Sequence, residues 1–380
     1  MRADRRVGLY VHIPFCLAKC GYCDFNSYAG LTRLFAPYGQ ALRLELNRTL
    51  AHSDLTVDTV YFGGGTPTVA PVSMLVAVLE RLQMAGQQPV ELTVEANPGT
   101  VTARRLAVLR AAGINRISLG VQSLHDAELR TLGRVHDRQT ALDSIALARR
   151  AGFDNLNLDF IFGLPGQSLA SWRRTLDQAV ALQSEHLSLY ALTLEEDTPL
   201  ARAEAEGRLP PVDDDRAAEM YECAESLLAT AGYRHYEISN WARPGHECRH
   251  NLIYWANEEY VGIGAGAWSR LGDRRWGNLR NPEQYIQRTL AGEAAVEDEE
   301  LLSQAQFVAD AVILSLRLVS GVARDAFAER FGLELEDVYG DRIARLAHVG
   351  LLEADRVGIR LTARGRLLGN EVFEQFLVDV

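Results

Sequence analysis

Positive charge is in short supply in this 380-residue chain: 39 Lys and Arg stand against 50 Asp and Glu, for a formal net charge of −11. Nucleic-acid binding depends on neutralising phosphates, so the balance excludes a polynucleotide partner and favours small molecules or proteins. Lysine is scarcer still, with Lys19 the single one in the chain. Two readings of Lys19 stay open: chance survival in an arginine-biased genome, and a position where a compact ammonium suits better than a guanidinium. Long apolar runs are missing, so no membrane span is expected, and the first thirty residues lack the apolar segment of a secretory signal. Cysteine is sparse and odd in number, five in all, which excludes a disulfide framework and fits a reducing, cytoplasmic setting. Hydrophobic residues make up 47% of the chain, enough to fill a large core.

Three of the five cysteines fall in one window, Cys16-Leu-Ala-Lys-Cys20-Gly-Tyr-Cys23, directly after an apolar run. Three thiolates at C-x3-C-x2-C spacing can hold three irons of a cubane [4Fe-4S] cluster and leave the fourth iron open. Electron-carrier clusters take four protein thiolates, so a set of three points to chemistry at the open iron. The competing reading is a zinc site, because Cys-x2-Cys is half of many zinc knuckles. His12, Cys223 and Cys248 are the spare ligands, and none sits at a second-half spacing.

The stretch 7–191 alternates short aliphatic runs with amphipathic segments. Strands are predicted at 9–13, 59–62, 92–95, 116–120, 155–161 and 186–191, and helices at 34–50, 71–83, 102–112, 138–151 and 171–182. Each separation suits a βαβ crossover, so the sheet should be parallel. Ala112-Gly113, Ala151-Gly152 and Ala231-Gly232 place glycine where helices should stop. Six such units predict an α/β fold, a partial (β/α)6 barrel whose chemistry gathers at the C-terminal strand ends. Polar and Gly-rich segments fall at those ends: Gly63-Gly-Gly-Thr-Pro67, Glu95-Ala-Asn-Pro98, Gly120-Val-Gln-Ser123 and Asp159-Phe-Ile-Phe-Gly163. A carboxylate ending an apolar strand needs a partner for its charge, and a polar ligand at the barrel mouth supplies one.

With these motifs in this order, the sequence resembles the radical S-adenosylmethionine (SAM) family of oxygen-independent coproporphyrinogen III dehydrogenase, which includes a heme chaperone branch. The resemblance rests on Tyr10-Val-His-Ile-Pro-Phe-Cys16, Cys20-Gly-Tyr-Cys-Asp-Phe-Asn-Ser27, Tyr61-Phe-Gly-Gly-Gly-Thr-Pro-Thr68, Glu95-Ala-Asn-Pro-Gly-Thr100, Gly120-Val-Gln-Ser123, Leu132-Gly-Arg134 with His136, Asp159 to Pro165, and Tyr236-Glu-Ile-Ser-Asn240. It spans nearly the whole chain and implies a radical SAM barrel with a cluster on Cys16, Cys20 and Cys23. The cofactor's amino acid end would chelate the open iron. It further implies Gly64, Gly65 and Thr66 at the cofactor's amino group, Tyr22 near adenine, and Glu95, Gln122, Arg134 and Asp159 on its polar atoms. Tyr10 would sit on the cluster side and Thr193 just past the sixth strand.

Within the family, the dehydrogenase carries another cysteine two residues after the third, where this chain has Phe25, and a longer segment before the first strand. Both departures resemble the chaperone branch. His250-Asn-Leu-Ile-Tyr-Trp255 likewise resembles that branch's H-N-x-x-Y-W heme motif, which implies His250 as a heme ligand. A neutral imidazole is a good axial ligand and aromatic rings offer a flat wall. A histidine beside aromatics is also what a packed, hydrogen-bonded core residue looks like, and His246 and Cys248 are alternative ligands. Three parts are expected: a barrel at 1–235, an edge extension with the heme motif at 236–300, and a winged-helix-like α+β domain at 301–380 with helices at 303–317, 323–331 and 343–349 and a strand at 357–361. The last carries 9 Arg against 12 acidic residues, which favours a lid or docking role over DNA binding. The implied function is a heme chaperone that binds a cluster, SAM and heme and hands heme to an acceptor hemoprotein, with an electron donor among its partners and only peripheral membrane contact. The alternative is a radical SAM oxidoreductase acting on coproporphyrinogen III or a related tetrapyrrole.

Overall fold

The computed structural model describes residues 5–51 and 54–378. Six parallel strands lie side by side in chain order: β1 (Arg5–Ile13), β2 (Leu55–Gly64), β3 (Glu91–Ala96), β4 (Arg116–Gln122), β5 (Leu156–Phe162) and β6 (His186–Ala191). Each is an aliphatic run covered by helices on its outer side. Val7, Leu9, Val11 and Ile13 of β1 are all buried, as are Val60, Phe62, Val94, Ile117, Leu119, Leu158 and Phe160 of its neighbours. Burying one such side chain is worth about 1.5–3 kcal/mol, so the repeated core faces dominate the barrel's stability. Helices Phe35–Leu50, Val72–Met84, Ala103–Ala111, Arg138–Arg150 and Leu169–Ala181 follow the first five strands or the turns after them. Gly113, Gly152 and Gly232 take left-handed φ of 103°, 84° and 84° at the ends predicted for them.

The sheet is wider than the six units. Tyr260–Ile263 adds a seventh parallel strand beside β1, and Trp268–Leu271, Arg274–Asn278 and Val296–Leu301 extend that edge antiparallel. At the other edge Asn240–Ala242 and Arg234–Glu237 continue from β6, giving twelve strands. The segment 236–300 therefore closes both flanks of the barrel and is continuous with its sheet.

The run Val261-Gly-Ile-Gly-Ala-Gly-Ala267 explains how this edge packs so tightly. Gly264, at φ +101°, lies against β1: a Cβ there would sit 2.5 Å from the His12 carbonyl oxygen and 2.8 Å from the Tyr38 hydroxyl. Residues 308–376 bury a second core of their own around Val312, Phe327, Ile359 and Phe376. Three short strands, Val322–Ala323, Leu352–Ala354 and Gly358–Leu361, pair antiparallel there beside helices Arg324–Phe331 and Leu335–His348. The second of these helices starts well before the 343–349 segment that the sequence pattern suggests. No helix among the described residues is long and apolar enough to cross a membrane.

Candidate cofactor site at the barrel mouth

The loop after β1 carries the three cysteines over the C-terminal ends of the strands. Its base is fixed by Phe15–Cys16, which pairs with Tyr28–Ala29, and by backbone bonds from Gly65 N to the Ile13 carbonyl at 2.9 Å and from Thr66 N to the Phe15 carbonyl at 2.8 Å. Gly65 has no room for a side chain: a Cβ would lie 2.8 Å from the Phe15 oxygen and 3.0 Å from Cys16 Sγ. The glycine run thus seats the cysteine loop. All three thiols are free and half-buried. Burial pushes the Cys16 and Cys23 thiols up, with hydrogen bonds from neighbouring hydroxyls opposing it. Among the described residues no three His, Cys, Asp or Glu side chains converge to hold a single metal ion, which is the arrangement a zinc knuckle needs. A cubane asks for one thiolate on each of three irons.

Beneath the loop lies a cavity of about 420 Å³. Cys16, Cys20 and Cys23 line it together with Tyr22, Gly64, Gly65, Glu95, Gln122, Arg134, Asp159 and Thr193. Thr66 and Tyr10 lie just outside. The Thr66 hydroxyl accepts from Asn97 Nδ2 at 2.7 Å and lies 3.7 Å from Cys16 Sγ, so it anchors the loop from behind. The Tyr10 hydroxyl is 3.2 Å from His12 Nδ1 and faces a neighbouring groove.

Arg134 ties the walls together. One guanidinium nitrogen reaches Cys20 Sγ at 3.3 Å and the other donates to the Gly120 carbonyl at 2.8 Å, while its Nε is buried without a partner. Gln122 takes a left-handed φ of 66°, a strained state for a side chain of its kind, and its buried Oε1 also has no partner. Such orphaned groups around a cavity mark the place of a ligand that supplies their hydrogen bonds.

Two carboxylates complete the negative side. Glu95 accepts from the Tyr61 hydroxyl at 2.9 Å and from Gly64 N at 3.1 Å. Enclosure in the barrel, helped by the charge of Asp159, pushes its pKa up to about 7. Asp159 accepts from Ser118 Oγ at 3.0 Å and Asn157 Nδ2 at 2.8 Å, and burial raises it too. Behind it a chain of buried groups runs from Asn157 through His186 Nδ1, 2.6 Å away, to the Tyr236 hydroxyl, 2.8 Å from His186 Nε2. A pocket that holds two carboxylates at an energetic cost suits a cationic, polyhydroxylated ligand. SAM, with its sulfonium and ribose, is of that kind, and the three thiols, the close-packed glycines and the unpartnered polar atoms fit it and a cluster.

The H-N-x-x-Y-W helix, Arg249–Trp255, is split among three environments. Its N-terminus is held by Glu91, whose carboxylate accepts from the backbone of Arg249 and His250, each at 3.0 Å. Asn251 lines the cofactor cavity. His250 is buried, with Nδ1 2.7 Å from Thr59 Oγ1 and Nε2 3.0 Å from the Tyr254 hydroxyl, and its ring stacks on Tyr61. Both imidazole nitrogens are engaged in the core, so axial ligation through Nε2 would require breaking the bond to Tyr254, while the Thr59 bond on Nδ1 is of the kind that orients a ligating imidazole. Burial lowers its pKa to about 3, which keeps it neutral. Trp255 lies under the guanidinium of Arg317 at 4.5 Å, against the C-terminal core. Cys248 is buried beside Glu91 and His246 lies apart from both cavities.

Sequence reasoning passed over Arg116. This buried arginine lines the cavity floor, its Nε has no partner, and its charge faces Glu91. An arginine inside a strand that reads as buried was the available signal.

Comparison with known proteins agrees with this geometry. The model of the radical SAM superfamily matches residues 10–179, and that of the HemN C-terminal domain matches residues 302–368. Heme chaperone HemW of Bacillus subtilis is 37% identical over 98% of this chain and 99% of its own length. The chain belongs to the HemW family of radical SAM proteins. HemW of Escherichia coli is likewise 37% identical, over 98% of both chains. The bovine mitochondrial radical S-adenosyl methionine domain-containing protein 1 is 35% identical over 95% of this chain and 85% of its own. Among solved structures, coproporphyrinogen III oxidase (HemN) from Escherichia coli superposes with a TM-score of 0.85 at 25% identity, covering 98% of this chain and 90% of that one. Membership in the radical SAM superfamily implies a [4Fe-4S] cluster and SAM, and the HemW relatives are heme-related.

Proposed function

We propose that this protein is a cytoplasmic heme chaperone: it carries a [4Fe-4S] cluster on Cys16, Cys20 and Cys23, binds SAM in the barrel mouth, takes up heme and passes it to an acceptor hemoprotein. The observation that carries this reading is the joining of a three-thiol, two-carboxylate cavity to full-length similarity with proteins named heme chaperones. When bound, the cluster and SAM supply one-electron redox chemistry. The chain's own residues hold and enclose: Glu95 and Asp159 accept from ligand hydroxyls, Arg134 braces the cysteine loop, and Gln122 offers its free carbonyl. Heme, an acceptor and an electron donor are the partners; any membrane contact is peripheral.

A second reading, oxidation of a coproporphyrinogen-like substrate, draws on the superposition with coproporphyrinogen III oxidase. Phe25, 66% exposed beside the cluster loop, stands where the dehydrogenase pattern has its extra cysteine and weighs against it. Anaerobic purification followed by iron and sulfide analysis, SAM dialysis, heme titration and a coproporphyrinogen III assay separates the two. The expected result is about four irons per chain, SAM and heme binding, and no turnover. Turnover of coproporphyrinogen III by the wild type refutes the chaperone.

A further inference from the structure

A second groove, of about 380 Å³, adjoins the cofactor cavity and shares Phe25, Gly64 and Glu95 with it. Its lining is aromatic to an unusual degree. Tyr10, Tyr254 and Tyr260 contribute to it, Tyr254 and Tyr260 meeting edge to face at 4.8 Å. At the surface stand two large side chains that the core does not use, Phe25 at 66% exposed and Trp268 at 44%. Trp268 lies flat over its neighbouring strand because residue 277 is glycine: a Cβ there would meet the indole at 2.8 Å. The indole is therefore held as a fixed wall with one side free.

Two cations stand near residues of this groove, Lys19 at Phe25 on the side of the cofactor cavity and Arg280 with its backbone at Asn26. Lys19, the chain's single lysine, is exposed and donates to the Phe25 carbonyl at 3.2 Å. Arg280 is exposed, and its own carbonyl accepts from Asn26 Nδ2 at 3.0 Å, which sets it beside the groove. A flat apolar surface edged by cations is complementary to a flat apolar ligand carrying carboxylates.

We propose that this groove is the porphyrin site: the macrocycle lies between Phe25 and Trp268 over the tyrosines, with its propionates toward Lys19 and Arg280. The assignment rests on the chaperone reading above and gives it a location. A groove of this volume covers part of a macrocycle and leaves an edge outside, as delivery to an acceptor requires. His250 then acts as a positioning residue, its Nε2 holding the Tyr254 hydroxyl in the floor. Phe25 forms the partition between porphyrin and cofactor cavities.

The test is titration of the full-length, cluster-loaded protein with hemin and, separately, with metal-free protoporphyrin IX, followed by Soret absorbance and quenching of tryptophan emission. Trp268→Ala should weaken both ligands at least tenfold, Trp268→Phe should recover most of that loss, and Arg280→Glu should weaken both several-fold, more so at low salt. SAM dialysis should be unchanged in all three. His250→Gln, which can still bond Tyr254, should keep the wild-type Soret maximum. Wild-type affinity in Trp268→Ala, binding of hemin but not of protoporphyrin, or loss of the Soret band in His250→Gln each overturns the site. Failure of the wild type to bind hemin instead refutes the chaperone reading itself.

Discussion

Glu95 is held in a state that costs the empty protein stability, and the cost can be measured. Its pKa stands at about 7 instead of the ordinary 4.5, because enclosure and the neighbouring Asp159 disfavour the charge. The folded chain therefore binds a proton more tightly than the unfolded chain. Stability from this group is full below about pH 4.5, declines as pH rises, and is lost above about pH 7. At 1.36 kcal/mol for each pH-equivalent of displacement, the decline amounts to about 3 kcal/mol. Glu95→Gln removes the titration and leaves one of two donors, the Tyr61 hydroxyl or Gly64 N, without its acceptor, a loss of about 1 kcal/mol. The variant is thus expected to be within about 0.5 kcal/mol of wild type at pH 5, where part of the decline has already occurred, and about 2 kcal/mol more stable at pH 8. Urea unfolding of cluster-free protein at both pH values reads the difference directly. Asp159 titrates in the same direction but is present in both proteins, so its own contribution largely cancels.

The functional counterpart has the opposite sign. A cationic ligand favours the ionised carboxylate, so SAM should bind wild type more tightly as pH rises through about 7, and Glu95→Gln should bind it weakly and without that slope. A stability difference that stays constant from pH 5 to pH 8 would refute the assignment of the raised pKa to Glu95. It would also remove the argument that the cavity is strained toward a cation.

Cys20→Ser should abolish the cluster while Cys223→Ser, on helix Asp214–Thr230, should leave it intact; iron and sulfide analysis with EPR of the reduced proteins decides, and normal content in the Cys20 variant rejects the ligand set. Gly65→Val should lower cluster content and SAM affinity together, because its side chain meets the Phe15 carbonyl and Cys16 Sγ before it meets any ligand; loss of SAM binding with a full cluster would show that the contact is with the cofactor alone. Gly264→Ala, at φ +101° with its Cβ against the His12 carbonyl, should cost about 1–3 kcal/mol in thermal unfolding without removing any cofactor contact.

The barrel was legible because its signal is local. Each strand is a short, largely buried aliphatic run, and two of them carry a carboxylate that apolar packing cannot explain, Glu95 near one strand's end and Asp159 in the middle of another. The edge strands carry no such signal. Val296–Leu301 reads Val-Glu-Asp-Glu-Glu-Leu, and Arg274–Asn278 opens with two arginines. They are strands because their backbones pair and because Arg274 and Arg275 meet Glu299 and Glu300 across the ladder. That is a tertiary cause with no periodicity to betray it. The start of helix Leu335–His348 escaped notice for a related reason: its first turn exposes Glu336 and Asp337 and gains its core contact from Leu335 and Tyr339 only once the second core forms.

His250 shows most clearly where motif and structure part. The sequence presents a histidine next to aromatics, which suits both an axial ligand and a core residue. What bears on the choice is Tyr254, whose hydroxyl engages Nε2 at 3.0 Å, while Thr59, 191 positions away in sequence, holds Nδ1 at 2.7 Å. Ligation through Nε2 would break the bond to Tyr254 and leave its buried hydroxyl unsatisfied, at about 1–3 kcal/mol, with the Thr59 bond on Nδ1 kept. An exposed aromatic wall a few residues from the cluster loop needs no such rearrangement. The motif's contribution to heme binding is therefore read best through Tyr254, which His250 orients, and through Asn251 and Trp255, which connect the same short helix to the cofactor cavity and to the C-terminal core.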